Sequence, residues 1–147
     1  MNTSTLARSP RVDAGLAVLR VVVGIVFVAH GAQKVFVYGF GGVAGAFGQM
    51  GVPVPGITGP AVALLEFLGG IALVVGLLAR LAALGLAIDM LGAIVLVHLA
   101  GGFFLPKGYE YALTLLGACA ALALAGPGAH SLDAMIGRRR AEGPGVR

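Results

Sequence analysis

Charged side chains are nearly absent from the central part of this chain, and this feature constrains its fold more than any other. Residues 14–132 contain only seven of them, which are Arg20, Lys34, Glu66, Arg80, Asp89, Lys107 and Glu110. Charged residues make up 11% of the 147-residue chain, whereas a soluble domain typically has about 25%. So few charges cannot cover a soluble surface, which excludes a soluble enzyme, a disordered chain and a nucleic-acid-binding protein. The sequence indicates an integral membrane protein.

Four apolar stretches are long enough to cross a bilayer as helices, since about 20 residues span a hydrocarbon core of roughly 30 Å. They cover residues 14–36, 58–79, 81–100 and 109–126. None shows the strict alternation that is typical of membrane-barrel strands. Because backbone polar groups must be satisfied within lipid, the helices should pack together. The sequence therefore predicts an all-α fold, in which residues 14–130 form a four-transmembrane-helix bundle.

The segment between the first two spans, residues 37–57, is rich in glycine and proline and too weakly apolar for a fifth span. Its middle, residues 43–50, predicts a short interfacial helix in the first outer loop, ended by Gly51 and Pro53. Beyond the fourth span, Ser131 is expected to cap a short terminal helix.

Arginine residues are concentrated at one end of the predicted bundle. That end carries Arg8, Arg11, Arg20, Arg80, Arg138, Arg139, Arg140 and Arg147, whereas the opposite end carries Lys34 and Lys107. Because positive charge accumulates on cytoplasmic segments, the tails 1–13 and 131–147 are predicted to be cytoplasmic. The arginine run 138–140 is interpreted as contacting the lipid surface rather than nucleic acid.

Several polar side chains nevertheless fall within the predicted spans, where a charge at mid-bilayer costs on the order of 2.5–3.5 kcal/mol. At a rise of about 1.5 Å per residue, Glu66 lies about 18 Å from the cytoplasmic end of its span, and others lie farther out. The candidate intramembrane polar site comprises Glu66, His30, Lys34, Gln33, Glu110 and His98. Glu66 itself is open to two interpretations, a functional group or a protonated carboxyl bonded to a neighbouring helix.

Polar and small residues share faces on three spans, at about 100° of rotation per residue. These sets are Arg20, Gly24, Phe27, His30, Gly31 and Lys34 on the first span, Glu66, Gly69 and Gly70 on the second, and Glu110, Thr114, Gly117 and Ala121 on the fourth. Small residues beside polar ones are typical of close helix contacts in membranes. The three faces are therefore expected to meet in a common interior.

Arg20 and Asp89 lie at similar depths, about 9 Å and 14 Å from the cytoplasmic side, which predicts a structural ion pair. Asp89 shares a helix face with Gly85 and Gly92, while His98 lies about 180° away on a straight helix. Either the helix bends near Gly92, or only one of the two polar residues faces the interior.

The sequence favours neither metal nor thiol chemistry. It contains no H-x-x-x-H or E-x-x-H spacing, so no metal site is predicted. The single cysteine, Cys119, lies among alanine and leucine and is interpreted as a packing residue. Because no C-x-x-C motif is present, self-contained disulfide exchange is excluded.

Five motif pieces resemble a known family. They are LRxxxGxxFxxHGxQK at 19–34, ExxGGxxLxxGLxxR at 66–80, GFF at 102–104, GYEYxLxLL at 108–116 and GPGxxSLD at 126–133. Together they resemble the DoxX family of small four-span bacterial inner-membrane proteins, over roughly residues 16–135. The residues that match its pattern are Arg20, His30, Gln33, Lys34, Glu66, His98, Glu110 and Tyr111.

The resemblance implies association with a thiosulfate:quinone oxidoreductase or with quinone and thiol stress. We therefore expect a subunit of a membrane redox complex that interacts with quinone and with partner subunits, since no electron carrier is visible in the chain. Two alternatives stay open, a non-enzymatic scaffold that recruits proteins through its basic tail and a small-solute transporter. Assembly of the chain into a homo-oligomer also stays open, and the sequence does not settle whether the chain is an enzyme.

Overall fold

The computed structural model describes residues 9–142, and all regular structure within this range is helical. The α-helices are α1 (Pro10–Ala32), α2 (Gly39–Gln49), α3 (Pro55–Val75), α4 (Ala79–Ala93), α5 (Glu110–Ala125) and α6 (Leu132–Ala141). Two π-helical segments, Gln33–Tyr38 and Ile94–His98, continue α1 and α4, and a 3-10 turn at Leu99–Gly101 follows the second. The predicted all-α class is confirmed for the described residues.

Three helical segments in the described range are long and apolar enough to cross a membrane, namely Pro10–Gln49, Pro55–Val75 and Ala79–Gly101. The fourth apolar helix, α5, has 16 residues and is about 24 Å long. It starts at Glu110 because the preceding residues form turns, in which Tyr109 N–H donates to the Gly102 carbonyl at 3.0 Å. Helix α5 is thus shorter than the other three segments.

The connection after α1 is helical over more of its length than the sequence predicted. Helix α2 begins at Gly39, four residues before the predicted start, and ends at Gln49. Gly39 has φ +66°, a conformation open to glycine, and this lets the chain change direction between the π-helical segment and α2. Helix α2 then packs against α3, where a Cβ on Gly59 would lie 3.1 Å from the Ala44 nitrogen.

Glycines bring α1 and α3 into contact, backbone against backbone. A Cβ on Gly24 would lie 2.8 Å from the Gly70 carbonyl oxygen, and one on Gly70 would lie 2.6 Å from the Val28 nitrogen. One turn farther out, a Cβ on Gly31 would overlap the Phe67 backbone. Such close approach is typical of small residues at membrane-helix interfaces, and it sets the C-terminal end of α1 directly beside the middle of α3.

The buried face of α5 differs from the predicted one. Ala112, Leu115, Cys119 and Leu122 are buried against the rest of the core, whereas Thr114 and Gly117 are exposed. The predicted inward stripe from Glu110 to Ala121 is therefore wrong for α5, because helix α4 packs against its apolar residues. Cys119 is fully buried, which confirms its interpretation as a packing residue.

The Arg20 side chain ties three segments together near the turn between α3 and α4. Its guanidinium donates to the Leu73 carbonyl, to the Val74 carbonyl at 2.6 Å and to the His130 carbonyl at 2.8 Å. Arg20 is only 3% exposed, so these bonds replace water around a buried charge. The C-terminal turn of α3 is thereby fixed to α1 and to the segment before α6.

Two further side chains cap helices at this end. The Asp133 carboxylate accepts the Leu78 and Ala79 N–H groups at 2.8 and 3.0 Å, which satisfies the start of α4. Leu78 there has φ +48°, an unfavourable conformation that this cap holds in place. Ser131 accepts the Ala134 N–H at 3.1 Å and caps α6, as predicted.

Candidate functional site

A cavity of about 440 Å³ lies among α1, α3, α4 and α5, and α2 covers part of it. Most of its wall is apolar and includes Phe27, Phe47, Met90 and Leu115. The ionisable and polar side chains that line it are His30, Lys34, Thr58, Glu66, Asp89, His98 and Tyr111. Four of the six predicted site residues are therefore brought together in one cavity.

Lys34 and Glu66 form an ion pair across the α1–α3 contact. The Glu66 side chain is 6% exposed and that of Lys34 20%, so both charges are largely removed from solvent. Glycine packing explains the pairing, since Gly31 lies against the Phe67 backbone one turn from Lys34. The Lys34 ammonium neutralises Glu66, which lowers the cost of a carboxylate at this depth.

Asp89 faces this pair from α4. Its carboxyl group lines the same cavity as Lys34 and Glu66 and is close enough to interact electrostatically with both. The buried Oδ2 of Asp89 has no hydrogen-bond partner among the described residues. Lys34 is therefore the cation beside both carboxyl groups, that of Glu66 and that of Asp89.

The predicted ion pair between Arg20 and Asp89 is wrong. Arg20 is bonded to backbone carbonyls at the end of α3 and has Asp133 as its acidic neighbour. Similar depth in the membrane does not make two residues neighbours, because that depends on which helices are in contact. Because α1 packs against α3 through glycines, Arg20 reaches the end of α3, while Asp89 meets Lys34 and Glu66.

The π-helical segment Ile94–His98 brings His98 to the same cavity as Asp89. On a straight α-helix these two residues would lie on opposite sides. A π-helical turn holds more residues than an α-helical one, so each residue in it rotates less about the axis. The wider turn rotates His98 toward the side of Asp89, so both residues line the cavity and the alternative of a single inward residue is wrong.

His30 and Tyr111 lie at the outer part of the cavity. Their ring centroids are 6.2 Å apart and the ring planes are tilted by 46°. The His98 Nδ1 lies 3.3 Å from the Lys107 carbonyl oxygen. Because a carbonyl only accepts, Nδ1 carries the hydrogen in this contact, and Nε2 of the neutral ring is an acceptor.

Two predicted site residues are not brought into the cavity. Gln33 is exposed on the π-helical segment after α1. Glu110 accepts the Leu105 N–H at 2.8 Å and so stabilises the loop before α5. Both positions therefore have surface or loop contacts in place of cavity contacts.

Asp89 and Tyr111 also line the cavity, although the sequence placed Asp89 in an ion pair with Arg20 and left Tyr111 outside the candidate site. Asp89 lies within one helical turn of the depth of Glu66, and this similarity was the available signal for it. Tyr111 is adjacent to Glu110, but it lies on a different face of α5 and so lines the cavity. Among residues 9–142, no group of three or more His, Cys, Asp or Glu side chains is placed to hold a metal ion.

Comparison with known proteins identifies the family. The DoxX family profile matches residues 15–99. An uncharacterized membrane protein of Mycobacterium tuberculosis is 35% identical over 132 residues, which cover 82% of this chain and 80% of the relative. The chain belongs to the DoxX family. This confirms the resemblance carried by the motif pieces, and with the apolar helices it establishes a membrane protein.

Two further relatives extend over nearly the whole chain. The inner membrane protein YqjF of Escherichia coli is 35% identical and covers 86% of this chain and 95% of the relative. A Bacillus subtilis relative named as a candidate oxidoreductase, CatD, is 30% identical and covers 89% of this chain and 93% of its own. No solved structure matches the chain significantly.

Proposed function

We propose that this chain is the quinone-binding subunit of a membrane redox complex. The observation that carries the proposal is the group of Lys34, Glu66 and Asp89 inside a cavity whose wall is mostly apolar. A quinone combines an apolar ring and tail with two polar oxygens, and this matches a cavity with apolar walls and one charged region. The candidate oxidoreductase among the relatives supports the same class of function.

The size and lining of the cavity suit a ligand of this kind. Small-molecule sites typically enclose about 300–1,000 Å³ and combine apolar walls with a few placed polar groups. The volume of about 440 Å³ lies in this range and accommodates a substituted ring with the start of a tail. Lys34, His30 and Tyr111 supply hydrogen-bond donors at its polar end.

A bound quinone supplies electron transfer coupled to proton transfer. The chain's own groups beside it are the carboxyl groups of Glu66 and Asp89 and the imidazoles of His30 and His98, and side chains of these types accept and release protons in catalysis. We assign the electron carrier to a partner subunit. The role of this chain is then to bind the ring, orient it and hold protons beside it.

Quinone retention during purification tests this function. The full chain, extracted with native lipid into nanodiscs, should carry quinone in near-stoichiometric amounts when its lipids are quantified by mass spectrometry. Glu66→Gln should lower the retained quinone about tenfold, because it removes the carboxylate that holds Lys34 in place. The matched control is Glu142→Gln, which changes an exposed glutamate outside the cavity. Quinone at the level of bulk lipid in the unmodified protein would contradict the proposal.

We further propose that residues 14–130 form a four-span membrane domain in the inner membrane. Helix α5 is the fourth span, and local thinning of the bilayer accommodates its length. Helix α2 lies in the interface of the outer side, and the tails 1–13 and 131–147 are cytoplasmic. The exposed Arg138, Arg139 and Arg140 of α6 support this orientation.

Reporter fusions test the topology. Reporters placed before Pro10 and after Glu142 should both be active only as cytoplasmic fusions, and one placed at Gly102 should be active only outside. An odd number of spans would put the two terminal reporters on opposite sides and would contradict the four-span proposal.

A further inference from the structure

One carboxyl oxygen in the cavity, the Oδ2 of Asp89, lacks a hydrogen-bond donor within residues 9–142. The Lys34 ammonium forms an ion pair with Glu66 and interacts electrostatically with Asp89. The Oδ2 of Asp89 is buried with no partner among the described residues. A buried acceptor without a donor loses its hydration without compensation. Asp89 therefore offers a position that a donor from a ligand would satisfy.

Two other cavity residues add acceptors. Because the Nδ1–H of His98 faces the Lys107 carbonyl, its Nε2 is an acceptor. The Thr58 hydroxyl donates within its own turn, to the carbonyl of Pro53 at 3.0 Å or of Val54 at 3.2 Å, so its oxygen keeps only acceptor capacity. The Asp89 Oδ2, the His98 Nε2 and the Thr58 oxygen are thus acceptors in the cavity wall that O–H groups of a ligand would satisfy.

We propose that the cavity binds the hydroquinone form of its ligand more tightly than the quinone form, with a ring hydroxyl donating to Asp89. This rests on the proposed function, because it names which redox form of the quinone the site prefers. A quinone oxygen is only an acceptor, and it would face the unpartnered carboxyl oxygen of Asp89 without a hydrogen between them. A hydroquinone hydroxyl provides that hydrogen, and bonds to charged acceptors are among the stronger ones.

The preference has a consequence for the proposed complex. A subunit that binds the hydroquinone form more tightly retains the reduced ligand after electrons arrive, or captures it from the bilayer for oxidation. Asp89 is then a binding residue that distinguishes the two redox forms, while the Lys34–Glu66 pair fixes the charge beside it.

A paired binding measurement tests this proposal. Decylubiquinone and its hydroquinone, kept under anaerobic conditions, are titrated into the full chain in nanodiscs, and the dissociation constants are measured by calorimetry. We expect the hydroquinone to bind about tenfold more tightly. In Asp89→Asn the preference should disappear or reverse, because the amide N–H₂ donates to a quinone oxygen. Glu142→Gln, a carboxyl-to-amide change outside the cavity, should keep the original ratio.

The outcomes separate the two proposals. Equal binding of both forms, tighter binding of the quinone, or an unchanged preference in Asp89→Asn would overturn the redox-form proposal and leave quinone binding intact. Binding of neither form would overturn both. The ratio in the unmodified protein decides the matter alone if Asp89→Asn does not fold.

Discussion

Lys34→Met is expected to destabilise the protein by about 3–5 kcal/mol, as is typical when one partner of a buried ion pair is removed. The substitution keeps the apolar length of the side chain but leaves Glu66 and Asp89 facing each other without a cation. The loss should appear as a lower midpoint of thermal unfolding in detergent. Lower pH should recover part of it, because protonation removes the unpaired charge.

A double-mutant cycle identifies the pair as the cause. Lys34→Met combined with Glu66→Gln should be more stable than the sum of the two single changes predicts, because both charges are gone. Lys107→Met provides the matched control, since it makes the same substitution at an exposed lysine. If the effects of Lys34→Met and Glu66→Gln simply add, the two side chains do not act as a pair and this account of the site is wrong.

Arg20→Met is expected to have an effect of similar size, about 3–5 kcal/mol, for a different reason. It removes the donors for the carbonyls of Leu73, Val74 and His130. These carbonyls lie at the end of α3 and before α6. The loss of the Arg20 donors should therefore weaken the contacts between α1, the end of α3 and the segment before α6. Hydrogen exchange should rise at the last turn of α3 and in α6 before it rises elsewhere.

Arg11→Met is the control for this prediction, because Arg11 belongs to the same helix but is exposed. It should change the unfolding midpoint by little, as is typical of surface substitutions. Equal destabilisation by Arg11→Met and Arg20→Met would show that the carbonyl contacts of Arg20 contribute nothing particular. Arg20→Lys should recover only part of the stability, since an ammonium cannot reproduce the planar fork of the guanidinium.

The class of the fold and most of the site could be predicted from this sequence because both depend on local patterns. Apolar length predicts the membrane helices, and the rarity of polar groups marks His30, Lys34 and Glu66 as inward-facing, whereas the direction of His98 stays open. Because polar side chains are costly inside a membrane, the few that occur there indicate a site more strongly than they would in a soluble protein.

The partners of these residues could not be predicted, because they depend on which helices touch. Glycine contacts place α1 against α3, which directs Arg20 to the end of α3 and leaves Asp89 with Glu66. The shift of His98 arises from a π-helical turn that composition does not indicate. Similarly, the buried face of α5 follows from its packing against α4.

The ligand cavity is the central claim, and photolabelling with an azido-quinone tests it most directly. The full chain in nanodiscs is irradiated with the probe, and labelled peptides are mapped by mass spectrometry with and without excess unlabelled quinone. The account predicts competed labelling at cavity-lining residues such as Met50, Met90 and Leu96. Labelling confined to outward faces, such as those of Leu84, Ile88 and Leu124, with no competition would contradict it.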